Sequence, residues 1–134
     1  MNAEQSLDTN IVLRLIMGDI PRQRDAAMEL LETQAGAFYV AEIVFVEIEY
    51  ALRQHYGLSR RQIAELLEDF VNHPKIASNR ALLRAVLPLY AAQPALSFTD
   101  IMLAEQARLT DSAPLWTFDK KLALQSPSAE LLGC

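Results

Sequence analysis

Hydrophobic positions along the chain recur at two spacings, which separate candidate helices from candidate strands. Over residues 22–35, Ala27 and Leu31 lie four residues apart, as on one face of a helix. Short apolar runs such as residues 37–40 suit strands instead. Glycine and proline residues lie between these segments and mark turns. The pattern therefore predicts short helices and strands in alternation.

The predicted elements extend along the whole chain. Helices are predicted over residues 9–17, 22–35, 59–72, 80–91 and 99–110, with a short helix from residue 120. Short strands are predicted over residues 5–8, 37–40, 75–77 and 115–118, with a final segment near residues 130–132. This alternation predicts an α/β domain with a mostly parallel sheet, in which sites lie at the carboxyl ends of the strands.

Residues 42–55 fit both kinds of element. Val46, Ile48 and Tyr50 alternate with two glutamates, as in a strand, whereas the length of the segment and its ending in ALRQH favour a helix. Two helix ends have clearer local signals elsewhere. Gly36 suits the end of the helix that precedes it. Ser59, followed by Gln62 at the capping-box position, suits a helix start.

Length and composition limit the class of protein. The 134 residues are expected to form one domain over residues 1–134, with 51% apolar and 22% charged residues as in ordinary globular proteins. The one cysteine, Cys134, excludes an internal disulfide and a Cys/His zinc cluster, and we expect it to be inert. The chain starts without a leader pattern and has no apolar run near the ~18 residues of a membrane helix, so we expect a cytoplasmic protein.

The net charge of −5 counts against a nucleic-acid partner, because such binders usually neutralise phosphates with basic residues. Carboxylates that hold divalent cations can nevertheless face phosphate through the metal. A net negative charge therefore does not exclude a nucleic-acid partner.

Three aspartates lie where helices are predicted to begin. Asp8 and Asp119 follow predicted strands at N-cap positions, where a carboxylate accepts hydrogen bonds from the first-turn amides. Asp100 ends the segment Ser97–Asp100, which has the spacing of a capping box. Taken singly, each of these aspartates is more often a cap than a catalyst.

Glu47 has no partner at helical spacing, because the residues three and four positions away cannot pair with it. A carboxylate on such an apolar face has to lose its charge or find a cation. Glu49 differs, since Arg53 lies four residues later, and we expect Glu49 to be a solvated or paired surface acid.

Three of these four candidate acids are assigned to strand–helix junctions, and such junctions share one edge of a parallel sheet. Carboxylates brought together there repel one another unless a divalent cation is present. Oxygen ligands suit Mg²⁺ or Mn²⁺ rather than zinc. The residues alone thus indicate an α/β protein with a candidate divalent-metal site.

Four blocks of the sequence, in order and at ordinary spacing, resemble PIN-domain ribonucleases of the VapC toxin type. The blocks are LDTNIVLRLIMGD at 7–19, FVEIEYALRQHYGLSRRQIAELLEDF at 45–70, SFTDIMLAEQA at 97–107 and LWTFDKKLA at 115–123. Each block alone is weak, but together they cover nearly the whole chain.

The resemblance implies a three-layer α/β/α sandwich around a mostly parallel sheet, with an acidic pocket. The pocket would be formed by Asp8, Glu47, Asp100 and Asp119. The three aspartates would be the metal ligands, and the glutamate would bind the metal or position water. Asn10 and Thr117 would orient ligands or water from behind the metal ligands.

The resemblance also implies a metal-dependent endoribonuclease that hydrolyses phosphodiester bonds in RNA, using one or two Mg²⁺ or Mn²⁺ ions. Such a protein acts as the toxin of a toxin–antitoxin pair. The apolar helices over residues 9–17 and 59–71 suggest surfaces for an antitoxin and for a second copy of the chain in a homodimer.

Some residues depart from this pattern or lie outside it. The opening MNAEQS is polar where the family usually has an apolar strand. Glu105 replaces a small apolar residue and either extends the acidic site or pairs with Arg108, and pairing is favoured. His55 and His73 lack a metal-ligand partner at helical spacing, so neither is assigned chemistry.

Two other functions fit parts of the pattern. A Mg²⁺-dependent phosphatase or phosphotransferase would use an aspartyl nucleophile, but the common signature has a second Asp two residues later, where this chain has Asn10. A non-catalytic binding module with a PIN fold is disfavoured because all four acids are present.

Overall fold

The computed structural model describes residues 3–133 of the chain. Its helices are α1 (Thr9–Met17), α2 (Pro21–Thr33), α3 (Glu42–Gln54), α4 (Arg60–Val71), α5 (Arg80–Ala92), α6 (Phe98–Leu109) and α7 (Lys120–Gln125). Its strands are β1 (Ala3–Ser6), β2 (Ala37–Tyr39), β3 (Ile76–Ala77), β4 (Leu115–Thr117) and β5 (Ala129–Leu131). The chain divides into two compact units, unit 1 up to Arg80 and unit 2 from Ala81.

Unit 1 is built on a parallel sheet with the strand order β1–β2–β3. Phe38 of the central strand is in register with Gln5 on one side and Ile76 on the other. Because a central parallel strand is covered on both faces, Phe38 is almost fully buried. The apolar core of this unit includes Phe38, Phe45, Ile48, Leu52, Ile63, Leu67 and Ile76.

Unit 2 contains the parallel pair β4–β5, in which Thr117 is in register with Leu131. The rings of Tyr90 and Phe98 pack edge to face in its core, with centroids 5.3 Å apart. Helix α6 packs against β4, and α7 packs against both strands. The turn from β4 into α7, which carries Asp119, is therefore attached to the small sheet.

The predicted α/β fold with parallel strands is confirmed, because every strand pair in the described residues is parallel. The ambiguous segment over residues 42–55 is the helix α3. Its buried residues include Phe45, Ile48 and Leu52, which recur at helical rather than strand spacing. The Ser59–Gln62 capping box is also confirmed, with Gln62 N–H donating to Ser59 Oγ and Ser59 N–H donating to Gln62 Oε1.

Two predicted boundaries are wrong. Helix α2 ends at Thr33, and Gln34 is already extended, so Gly36 (φ +80°) serves the turn into β2 rather than the helix end. Strand β1 ends at Ser6 instead of residue 8. Leu7 N–H still donates to Tyr39 O at 3.0 Å, but the next residue leaves the sheet to cap α1.

The expectation of one domain stays a prediction. The expectations that depend on Met1, Asn2 and Cys134 lie outside the described residues. Among residues 3–133, no helix combines the length and the apolar character needed to cross a membrane.

Candidate active site

Asp8 follows β1 and caps α1. Its backbone is extended, and its Oδ1 accepts a hydrogen bond from Ile11 N–H at 3.0 Å, which satisfies one of the free amides of the first turn. The side chain is exposed, and Oδ2 has no hydrogen bond within the described residues. Asp8 is thus held in place by one oxygen and keeps the other available.

Glu47 lies against the start of the same helix. Thr9 Oγ1 donates a hydrogen bond to Glu47 Oε1 at 2.8 Å, which connects α1 with α3. The carboxylate is exposed, and its partner is Thr9 of another helix rather than a residue at helical spacing on α3. The structure brings Glu47 to the helix start that Asp8 caps.

The buried acid of α3 is Glu49, which is 5% exposed. Its carboxylate accepts a hydrogen bond from Arg53 Nε at 2.8 Å, so the predicted pairing is confirmed and the predicted surface position is wrong. An ion pair is a sufficient structural reason for this acid, because a buried carboxylate is costly without a partner.

Asp100 lies in the first turn of α6. Its backbone N–H donates to Ser97 Oγ at 3.1 Å, so Ser97 caps the helix as predicted. The carboxylate of Asp100 is half-buried and makes no hydrogen bond or ion pair within residues 3–133. The capping-box explanation therefore accounts for the amide of Asp100 but not for its carboxylate. Asp100 also follows α5 rather than a strand, so two of the four acids, not three, lie at strand–helix junctions.

Asp119 caps α7 directly after β4. Its Oδ1 accepts hydrogen bonds from the N–H groups of Lys121 (2.9 Å) and Leu122 (3.2 Å). Its own N–H donates to Thr117 Oγ1 at 2.9 Å. Thr117 therefore fixes the backbone of Asp119, and Oδ2 of Asp119 has no hydrogen bond in the described part of the chain.

The remaining residues singled out from the sequence are also placed. Asn10 is exposed in the first turn of α1, and its side chain has no hydrogen bond within residues 3–133. Glu105 is buried and accepts a hydrogen bond from the Arg108 guanidinium at 3.0 Å, so the favoured pairing is confirmed. His55 is the C-cap residue of α3, and His73 Nδ1 accepts from the N–H of Lys75.

The donor atoms that these four acids offer to a divalent cation are all oxygens, which fits Mg²⁺ or Mn²⁺. Unit 1 carries Asp8 and Glu47, and unit 2 carries Asp100 and Asp119. In the described part of each unit, no group of three or more His, Cys, Asp or Glu side chains is placed to hold a metal ion. The convergence of the four acids stays a prediction, while the donor chemistry of each acid suits the metal.

Two features of the site regions are not evident from the sequence. Asp19 is bound by two side chains, Arg14 and Tyr56, through contacts of 2.6 Å each. Trp116 and Phe118 belong to the apolar run LWTF, which is typical of a strand, yet both side chains are exposed. A hydrophobic pattern predicts where a strand lies, but it does not predict which of its side chains are exposed to solvent.

Parallel strands followed by capping aspartates with free oxygens describe an α/β protein with carboxylates available to a divalent cation. Comparison with protein families matches the PIN domain over residues 6–125, and the chain belongs to this family. Its parallel-stranded α/β fold agrees with the α/β/α fold of PIN domains. Comparison with curated proteins gave no match. PIN domains are typically nucleases that act on RNA or other nucleic acids and generally use divalent metal ions.

Proposed function

We propose that this protein is a metal-dependent endoribonuclease that acts as the VapC-type toxin of a toxin–antitoxin pair. Family membership supports nuclease chemistry in general. The observation that carries the proposal is the carboxylate of Asp100, which is half-buried and without a hydrogen bond in the described residues although its amide is capped by Ser97. A carboxylate in the first turn gains about 0.3–1 kcal/mol from the helix dipole, but this gain does not require a half-buried side chain without a hydrogen bond.

In this proposal, Asp8, Asp100 and Asp119 hold Mg²⁺ or Mn²⁺. When bound, the cation supplies Lewis-acid stabilisation of the scissile phosphate and lowers the pKa of water. Asp8 and Asp119 are each immobilised through Oδ1 by amide hydrogen bonds and offer Oδ2. Preformed ligands of this kind lose little conformational freedom on binding.

Glu47 has a different role in the proposed reaction. The hydroxyl of Thr9 fixes one of its oxygens at 2.8 Å, and the side chain is exposed to solvent. A carboxylate held in this way can orient a water molecule for in-line attack or accept its proton. Thr117 and Asn10 are proposed to support the ligands, and the hydrogen bond from Asp119 N–H to Thr117 Oγ1 is consistent with that role.

Removal of one ligand charge tests this proposal. Asp100→Asn should lower RNA cleavage by at least about 100-fold, more than is typical for a group that only supports a metal ligand, and should remove growth toxicity on induction. Cleavage of generic RNA with and without Mg²⁺ or Mn²⁺ is the measurement, with far-ultraviolet circular dichroism to check the fold.

Asp111→Asn is the matched control, because it removes an exposed acid from the same unit. Asp111 has φ +55°, a conformation that Asn tolerates. The control should cleave at the wild-type rate. Full cleavage by purified Asp100→Asn would reject the proposed site, and metal-dependent release of phosphate from monoesters without RNA cleavage would favour a phosphatase.

The proposed protein partner is an antitoxin. An apolar groove of about 540 Å³ lies in unit 1 between α1, α2 and α4, the first and last of which were predicted to contact another chain. Leu15, Met28 and Leu66 line the groove, and its lining carries two acids, Glu32 and Asp69, against one lysine, Lys75. An amphipathic antitoxin helix with basic residues at its edges would match this surface, and the antitoxin is proposed to place one basic side chain near the acidic pocket. We propose the cytoplasm as the site of action, since the RNA and antitoxin would be found there.

A further inference from the structure

The hydroxyl of Thr9 bonds to another helix rather than to its own. In helices, a threonine hydroxyl often bonds back to a backbone carbonyl one turn earlier. Thr9 is the first residue of α1, and its Oγ1 instead donates to Glu47 Oε1 of α3 at 2.8 Å. Within the described residues, the Thr9 side chain makes no other hydrogen bond. The hydroxyl therefore serves a residue 38 positions away and not the local helix.

The orientation of the Glu47 carboxylate depends on this hydrogen bond. Glu47 is exposed, and its second oxygen, Oε2, has no hydrogen bond or ion pair within residues 3–133. An exposed glutamate has several rotatable bonds and samples many orientations in water. A hydrogen bond to one oxygen restricts that freedom and leaves the other oxygen accessible. Thr9 thus determines where the accessible oxygen of Glu47 lies.

The packing of the two helices does not require this hydrogen bond. Helix α1 packs against α3, and both helices bury apolar side chains, among them Val12 and Phe45. Burial of apolar area is the larger contribution to stability, whereas a hydrogen bond at an exposed carboxylate replaces bonds to water. Holding the two helices together is therefore a minor effect of the Thr9–Glu47 bond.

The chemistry of Thr9 suits a residue that holds an acid beside another acid. Thr9 directly follows Asp8, so its hydroxyl holds Glu47 at the end of α1 that Asp8 caps. Two carboxylates at one helix start repel each other when no cation is present. A lysine or arginine would also hold Glu47, but its charge would repel a metal cation. A neutral hydroxyl restrains the carboxylate without that competing charge.

We propose that Thr9 is a positioning residue that orients Glu47 towards the proposed metal site. This inference rests on the proposed function, because Glu47 is one of its four acids. In this role, Thr9 contacts neither the metal nor the RNA and acts through the Glu47 carboxylate alone. Loss of the Thr9 hydroxyl should therefore have an effect only while that carboxylate is present.

Thr9→Val tests this role, because it removes the hydroxyl and keeps a β-branched side chain of similar size. In the full-length protein, the Kd for Mn²⁺ should rise by about 10- to 100-fold, as measured without RNA from the electron paramagnetic resonance signal of unbound Mn²⁺. The kcat of RNA cleavage should fall by a similar factor, with the KM for RNA unchanged. Thr9→Ser keeps the hydroxyl and should bring both values close to those of the wild type.

Glu47→Gln provides the background in which Thr9 should no longer matter. Adding Thr9→Val to Glu47→Gln should change the Mn²⁺ Kd and the kcat by less than about twofold. Thr33→Val is the matched control, because it removes a threonine hydroxyl that bonds to Glu29 O within α2. This control should keep the wild-type values. Circular dichroism checks the fold of each variant, and Thr9→Ala takes the place of Thr9→Val if the valine variant does not fold.

The outcomes distinguish this inference from the proposed function. If the wild type cleaves RNA and Thr9→Val keeps the wild-type Mn²⁺ Kd and kcat, the inference is overturned and the nuclease proposal stands. Equal effects of Thr9→Val with and without the Glu47 carboxylate, or no rescue by Thr9→Ser, would also overturn it. If the Mn²⁺ measurements show the expected dependence on Glu47 while the wild type cleaves no RNA, Thr9 positions Glu47 and the nuclease proposal fails. A wild type that binds no Mn²⁺ would overturn the inference.

Discussion

Asp8 uses Oδ1 to cap α1, while Oδ2 has no hydrogen bond within residues 3–133. One carboxylate can therefore cap a helix through one oxygen and bind a metal ion through the other. The position of Asp8 in the fold does not distinguish between these two roles. They differ in their dependence on Mg²⁺, because capping stabilises the helix with or without the cation.

Asp8→Ala should cost about 0.5–2 kcal/mol through loss of the cap, with part of this cost offset by reduced repulsion among the proposed ligands. Mg²⁺ at 100 times its Kd should stabilise the wild type by about 2.7 kcal/mol. This increment should shrink sharply in Asp8→Ala. Thermal melts of both proteins with and without Mg²⁺ are the measurement.

Ser59→Ala is the control for the loss of a cap. Ser59 caps α4 through the N–H of Gln62 and is not a proposed ligand. Its replacement should lower the Tm and leave the Mg²⁺ increment intact. An increment in Asp8→Ala as large as in the wild type would mean that Asp8 is only a cap.

Arg14, Asp19 and Tyr56 connect the C-terminal end of α1 with the segment after α3. Tyr56 OH donates to Asp19 Oδ2, and Arg14 Nη1 donates to both Asp19 Oδ1 and the Tyr56 oxygen. The hydrogen bond from Tyr56, followed by that from Arg14, holds the pKa of the Asp19 carboxyl below its usual range. The same contacts raise the pKa of Arg14.

The lowered pKa of Asp19 determines the direction in which the stability of the protein changes with pH. A carboxyl whose pKa is depressed in the folded state contributes stability that is present above its unfolded pKa of about 3.9 and is lost as pH falls through the folded pKa. Tyr56→Phe should therefore destabilise the protein at pH 7, and its difference from the wild type should shrink as pH drops below about 4. Urea unfolding at a series of pH values measures this difference.

Tyr50→Phe provides the comparison, since Tyr50 is exposed on α3 and its hydroxyl has no hydrogen bond among the described residues. The effect of this substitution on the free energy of unfolding should be small and independent of pH. A Tyr56→Phe penalty that stayed constant from pH 7 to below 4 would show that the hydroxyl does not act through the Asp19 carboxylate.

At the scale of the whole molecule, the predicted homodimer has a candidate surface on α3. Ile43, near the start of α3, is 69% exposed. Burying this side chain against a second copy would remove apolar area from water. We therefore expect a mass of twice 15.0 kDa by light scattering at micromolar concentration.

Ile43→Glu should shift that mass towards the monomer, because it places a charge in the proposed interface. Leu124→Glu is the control in unit 2, where the original side chain is 87% exposed. A monomeric wild type at micromolar concentration would contradict the dimer. A dimer unaffected by Ile43→Glu would place the interface on another surface.

Much of the candidate site was accessible from the sequence because the signals are local. The bounds of α1 follow from apolar spacing between Asp8 and Gly18. The caps at Ser59 and Ser97 involve residues three positions apart, as the sequence pattern predicts. Residue patterns alone indicated an α/β protein with a candidate divalent-metal site, and the family resemblance assigned the four acids to one pocket with a nuclease function.

Tertiary structure decided the features that depend on residues far apart in the chain. The Asp19–Tyr56 hydrogen bond joins residues 37 positions apart, and the Thr9–Glu47 bond joins residues 38 apart. The burial of Glu49 and the exposure of Trp116 likewise depend on which elements cover each side chain. Helix periodicity and capping depend on residues within about one helical turn of each other, so they can be predicted from the sequence. Burial and long-range pairing arise only when distant segments meet, so they require the folded chain.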